Sequence, residues 1–213
     1  MDKDNQHEKS QISYQYEQKS PMVVRETAVK YEVTKTYNYS DLLTWPEDER
    51  WELIEGIPYA MSAPNRRHQE ILGKLHLEFG NFLKGKTCKV YVAPFDVRLK
   101  VEGKGKDTVV QPDISVICDK NKLDDKGCKG APDLAIEILS PSNSRHDLIL
   151  KKRHYQIAGV KEYWIIDPER HMVQVYLLNE SGQYVTDSYA DTEEIQVTIL
   201  PELIINLQEI FEQ

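Results

Sequence analysis

A chain of 213 residues with a formal net charge of −8 has room for one domain of ordinary size. It lacks the strongly basic balance of a protein held to nucleic acid by a broad cationic surface, but that leaves room for a local cluster of Lys and Arg beside an acidic metal site. Cys88, Cys118 and Cys128 include no CxxC pair and are expected as free thiols in a reducing compartment rather than as a zinc site. No apolar run reaches the roughly 18–20 residues that span a bilayer. The stretch "MDKDNQHEKSQ" has no apolar core of a signal peptide, so the expected location is the cytoplasm, away from membranes.

Residues 1–35 read as a polar tail, disordered over 1–20 and then strand or short helix. A single domain is expected over 36–213. Ser40 is an N-cap candidate for a short helix in "YSDLLTW". "RWELI" and "IPYAM" flank Glu55-Gly56 as a β-hairpin. Ile71, Leu72, Leu75, Phe79 and Phe82 recur at helical spacing within 66–84, and Gly85 can end that helix. A meander follows over 88–93, 95–100, 108–118 and 132–139. "SPSNSRHDLILKKRHYQIAG" reads as a second helix, capped by Ser142 or Ser144 and closed by Gly159. "KEYWIID" is a strand that Asp167-Pro168 turns into "MVQVYLL". A polar loop, "EEIQVTIL" and a short helix at about 207–212 complete the chain. Helix, strands, helix and strand in that order make a mixed sheet with helices packed on it.

Two of these strands carry acid. Side chains alternate along a strand, so Gln111, Asp113 and Ser115 share one face and Val110, Pro112, Ile114 and Val116 the other. In 132–139, Glu137 shares a face with Asp133, Ala135 and Leu139. Asp133 and Glu137 lie about 13 Å apart by strand rise, too far to share an ion. Asp113 and Glu137, on neighbouring strands about 4.8 Å apart, can converge on a divalent cation. Leu148, Lys151, Lys152 and Tyr155 fall at i, i+3, i+4 and i+7, so one or both lysines can face inward with Tyr155. Two carboxylates, a hard cation and a lysine suit metal-assisted hydrolysis of a phosphodiester. The blander reading makes the acids salt-bridged, the lysines solvated, His68 structural and Asp133 a backbone hydrogen-bond acceptor at a strand entrance.

"RWELIEGIPYAMSAPNRRHQEI", "VVQPDISVICD" and "GAPDLAIEILSPSNSRHDLILKKRHYQIAGVKEYWIIDP" resemble the Uma2 family, also known as DUF820, over roughly residues 37–210. These are predicted endonucleases of the PD-(D/E)XK superfamily. The resemblance implies an α/β fold with a restriction-endonuclease-like core, a mixed central β-sheet flanked by helices, with an N-terminal β-hairpin and a C-terminal β extension. It implies Asp113 and Glu137 as catalytic metal ligands for Mg²⁺ or Mn²⁺, with the Ile138 backbone carbonyl a further ligand. Leu139 stands where the superfamily usually has its lysine, and the spacing from Asp147 selects Lys151 over Lys152. Glu55 and His68 match auxiliary positions. The expected activity is cleavage of DNA, with a homodimer as the fold-level analogy. The alternatives are a nuclease-fold module that binds without cutting, and a metal-dependent hydrolase of RNA or a small phosphoester.

Overall fold

The structure, a computed structural model, describes residues 35–46, 48–100, 106–140 and 145–212, apart from the side chains of 145–148. The expected tail over 1–35, all but Lys35, and the caps at Ser142 and Ser144 lie outside the described residues. Helix α1 (Tyr39–Leu42) leads into β1 (Trp51–Ile54) and β2 (Ile57–Ala60), and α2 (Arg66–Leu83) follows. Strands β3 (Lys89–Val92), β4 (Val97–Leu99), β5 (Thr108–Val110), β6 (Ile114–Ile117), β7 (Leu123–Asp124), β8 (Gly127–Lys129) and β9 (Leu134–Ile138) lead to α3 (Arg145–Ala158). The chain ends with β10 (Glu162–Asp167), β11 (Met172–Leu178), β12 (Tyr184–Ala190), β13 (Glu194–Gln196), β14 (Ile204–Asn206) and α4 (Leu207–Phe211).

Two six-stranded sheets form, in the orders β12-β11-β10-β9-β6-β3 and β2-β1-β5-β4-β8-β7. The first is mixed, because β9 and β10 run parallel while its other neighbours are antiparallel. Its two faces bury different partners. Leu134, Ile136 and Ile138 face Ile71, Leu75 and Phe79 of α2 together with the C-terminal Leu207, Ile210 and Phe211. Ala135, Tyr163 and Ile165 face Tyr155 of α3 and Val97, Val110 and Cys128 of the second sheet. Period-2 alternation in β9 and 3.6-residue periodicity in α2 both survive into the fold because each covers one half of an apolar contact.

The segment 108–118, expected as one strand, is two. Pro112 has no N–H to give a ladder, and the Gln111 N–H donates to the Glu52 carboxylate at 2.7 Å. The chain therefore leaves the second sheet after Val110 and enters the first at Ile114, with Asp113 at the crossing. Three other expectations shift. Asn38, rather than Ser40, caps α1, its side chain accepting from the Asp41 N–H in a reciprocal capping box. The "polar loop" after β11 contains β12, an edge strand whose residues are largely exposed and so show little apolar alternation. Strands β7 and β8 were not expected from the sequence.

The hairpin turn is as expected. Glu55 and Gly56 both take positive φ, 51° and 75°, which a two-residue turn of this hand requires. A Cβ on Gly56 would also meet the Thr36 side chain at 2.9 Å.

The cysteines are not three free thiols. Cys88 and Cys118 form a disulfide, because the antiparallel pairing of β3 with β6 continues one step beyond Lys89 and Ile117 and sets them opposite each other. Only Cys128 is free, buried, with its thiol pKa pushed up to about 11 by burial. The cysteines thus no longer argue for a reducing compartment. No helix among the described residues is long and apolar enough to cross a membrane.

Asp133 holds the entrance of β9 as a backbone acceptor. Its carboxylate accepts the Cys118 N–H and the Lys161 ammonium, each at 2.8 Å. Burial works to raise its pKa, but these two donors outweigh it and leave the pKa below the usual value. A depressed folded-state pKa gives stability that is present above the unfolded value, about 3.9, and is lost as pH falls through the folded value. Asp133→Asn is expected to cost about 1–3 kcal/mol at pH 7 and less in acid, read from urea midpoints across pH.

Candidate active site

The first sheet, the hairpin and the two long helices close on a cleft of about 150 Å³. Each side chain in it is placed by an element described above. Register extends the β6–β9 pairing of Ile114 with Ile136 by one residue, so Asp113 stands opposite Glu137. Glu137 belongs to the face that looks toward α3, where its partners lie, whereas Asp113, just before β6, meets α2. Asp113 is held from two sides: its Oδ2 accepts the Ile138 N–H at 2.7 Å and lies 3.1 Å from His68 Nε2. His68 reaches it from the first turn of α2, whose start is set by the Asn65 cap on the His68 N–H. The imidazole is buried and its Nδ1 has no hydrogen-bond partner among the described residues.

Glu137 sits deeper. Its Oε1 accepts from Lys151 Nζ at 3.1 Å and from the Tyr155 hydroxyl at 2.8 Å. Lys151 and Tyr155 are one helical turn apart, and α3 turns both inward. Lys152 points elsewhere, with its ammonium over the Tyr176 ring. The Lys151 ammonium lies between two acids, because Glu52 Oε1 is 2.8 Å from it. Glu52 is the residue that reading the sequence missed. It stands mid-strand in "RWELI", between Trp51 and Leu53, the same signal that drew attention to Asp113 and Glu137. Glu55, the auxiliary candidate, is in the turn instead, with a half-exposed carboxylate 3.7 Å from His154 Nε2. The structure thus brings together Asp113, Glu137, Lys151 and His68, adds Glu52 and Tyr155, and leaves Glu55 outside the cleft.

Charge is unevenly matched here. Burial opposes the charged form of Lys151, but Glu137 and Glu52 outweigh it and hold the ammonium firmly protonated. Burial first, then the charges of Glu52 and Asp113, raise Glu137 well above the ordinary carboxylate range, against the opposing pull of Lys151 and Tyr155. Glu52 and Glu137 share the Lys151 ammonium, and the two further charges beside Glu137 work with its burial against ionisation.

A hard divalent cation fits this donor set. Among the described residues no three His, Cys, Asp or Glu side chains form a preformed metal cluster. Mg²⁺, however, commonly takes one or two carboxylates and keeps several waters. Asp113 and Glu137 offer that pair in the cleft, and a cation is of the sign that relieves the neighbouring charges opposing the ionisation of Glu137.

An uncharacterised protein of Synechocystis is 26% identical over 160 residues, covering 74% of this chain and 82% of that one. The crystal structure of "a putative nuclease belonging to DUF820" from Anabaena variabilis matches with a TM-score of 0.66 over 81% of this chain and 96% of that one. At 24% identity the second likeness shows the fold. The Uma2 family model, described as "Putative restriction endonuclease", matches residues 39–208, from the first residue of α1 into α4 and across every strand of the cleft. On that match, the chain belongs to the Uma2 family.

Proposed function

We propose that this chain is a metal-dependent endonuclease that hydrolyses DNA phosphodiester bonds, with Asp113, Glu137 and Lys151 as its catalytic groups. The observation that carries the reading is that Asp113, just before β6 and fixed by the Ile138 N–H, lines one cleft with Glu137 of the neighbouring β9 and with Lys151, which Glu137 contacts. Mg²⁺ or Mn²⁺ held by these two carboxylates, with the Ile138 carbonyl as a further ligand, would polarise the phosphate and lower the pKa of a bound water.

The chain's own groups do the rest. The Ile138 N–H and His68 fix the direction of the Asp113 carboxylate. Lys151 keeps Glu137 and Glu52 from repelling each other apart, and Tyr155 orients Glu137 through its hydroxyl. A cleft walled by the hairpin on one side and α2 on the other limits water around the scissile bond.

The test is a substrate panel: supercoiled plasmid, linear duplex, single-stranded DNA, RNA and an aryl phosphodiester, each with Mg²⁺, Mn²⁺ or EDTA. Cleavage of DNA is expected with either metal and is abolished by EDTA. Cutting confined to RNA or to the aryl ester would transfer the activity to another phosphodiester class. Tight DNA binding with no cutting under any metal would favour the binding module.

A further inference from the structure

Among the described residues the cleft holds three basic side chains, Arg50, His68 and Lys151, and two of them are already matched. Lys151 lies between Glu52 and Glu137, and His68 lies against Asp113. Arg50 differs. It stands just before β1 and lines the same cleft, half-buried. Its Nε and Nη2 both donate to the Gln111 side-chain oxygen, at 3.2 and 2.9 Å. Among the described residues no carboxylate is in ion-pair contact with it.

The partner's chemistry matters. A carboxylate would orient this guanidinium and cancel its charge, whereas an amide oxygen orients it and leaves the charge intact. The amide is itself locked. Gln111 Nε2 donates to Asp96 Oδ1 at 2.9 Å, and Asp96 Oδ2 accepts the Tyr39 hydroxyl at 2.8 Å. An ionised carboxylate only accepts, so the Gln111 NH₂ must face Asp96 and the oxygen must face Arg50. The Gln111 backbone ties the same unit to the acids through Glu52. Gln111, Asp96 and Tyr39, from separate stretches of the chain, thus hold one full positive charge at the wall of a cleft that carries three carboxylates. A bare structural strut would not need that charge left open.

We propose that Arg50 is a phosphate anchor: its guanidinium binds a non-bridging oxygen of the substrate's phosphodiester, with Gln111, Asp96 and Tyr39 as positioning residues. The inference rests on reading the cleft as a phosphodiester site and deepens it, assigning the phosphate contact to Arg50. Lys151, its charge matched by two carboxylates, is left to hold the acids.

Inorganic phosphate, titrated without metal, is the probe. Binding is followed by calorimetry and by the Arg50 Nε–Hε NMR signal, assigned by its loss in Arg50→Lys. Saturable binding is expected, with the Arg50 signal shifting along the same isotherm. Arg50→Gln should weaken it about tenfold or more, and Arg50→Lys should restore part of the loss. Thermal unfolding checks that the variants fold. Should Arg50→Gln be misfolded, the Arg50 signal in the unsubstituted protein decides alone, because a strut does not respond to phosphate. An unmoved signal, or undiminished binding by a folded Arg50→Gln, overturns the anchor. DNA cleavage is assayed in parallel. Phosphate bound at Arg50 with no cleavage of any nucleic acid supports the anchor and sinks the nuclease. Cleavage by Arg50→Gln with unchanged kcat and KM overturns the anchor and leaves the nuclease standing.

Discussion

Lys151→Met is expected to destabilise the protein by about 3–5 kcal/mol at neutral pH, the cost of leaving buried charge without its partner. The ammonium is nearly buried and touches Glu52 at 2.8 Å and Glu137 at 3.1 Å. Removing it strands two carboxylates that face each other across the hairpin and the first sheet, with Asp113 beside them. Methionine fills a similar volume, so a cavity contributes little and the loss is chiefly electrostatic. Two further readings separate that cause from a packing defect. The deficit should shrink in acid, where the stranded carboxylates protonate. It should also shrink in the double variant Glu52→Gln Lys151→Met, which takes away one of the stranded charges. Urea midpoints of the single and double variants at pH 5 and pH 7 measure both. A deficit independent of pH and of Glu52 would mean that Lys151 acts through packing.

Asp113→Asn is expected to lower kcat/KM for DNA cleavage by about 10³-fold while the fold stays intact. The side chains are isosteric, and an asparagine oxygen can still accept the Ile138 N–H that Asp113 Oδ2 accepts at 2.7 Å. What is lost is a formal negative charge at the floor of the cleft. A calorimetric titration of Mn²⁺ should show one saturable site in the unsubstituted protein and its loss in this variant. That measurement depends on no choice of substrate. Residual cleavage within a few-fold of the unsubstituted protein would remove Asp113 from the metal site.

How much of this was legible depended on the kind of signal. The face that α2 buries, through Ile71, Leu75 and Phe79, follows from spacing alone, since only one stripe of a helix can reach a core. Tyr163, Trp164 and Tyr176 are all buried. Edge strand β12 escaped notice because one sheet edge and much of both its faces meet solvent, so nothing selects an apolar rhythm. Within the site, Asp113 and Glu137 stood out as acids in apolar strands. Glu52 and Glu55 lie three residues apart in "RWELIEG", and the turn at 55–56 sends one into the cleft and the other toward His154. Depth, which residue type does not encode, separated them.

Local chemistry in the sequence was enough to determine the α/β class, the Glu55-Gly56 turn, both long helices and the two acids that interrupt apolar strands, because propensity, periodicity and turn geometry act between near neighbours. Contacts between distant segments decided the remainder. The break at Gln111-Pro112-Asp113 needed the Glu52 carboxylate from another strand, and the Cys88–Cys118 bond needed the β3–β6 register. The spacing from Asp147 had favoured Lys151 over Lys152, but what Lys151 touches was decided only when α3 packed on the sheet and its ammonium met two buried carboxylates. Burial and charge pairing are properties of assembled elements, so they exist only once the tertiary structure does.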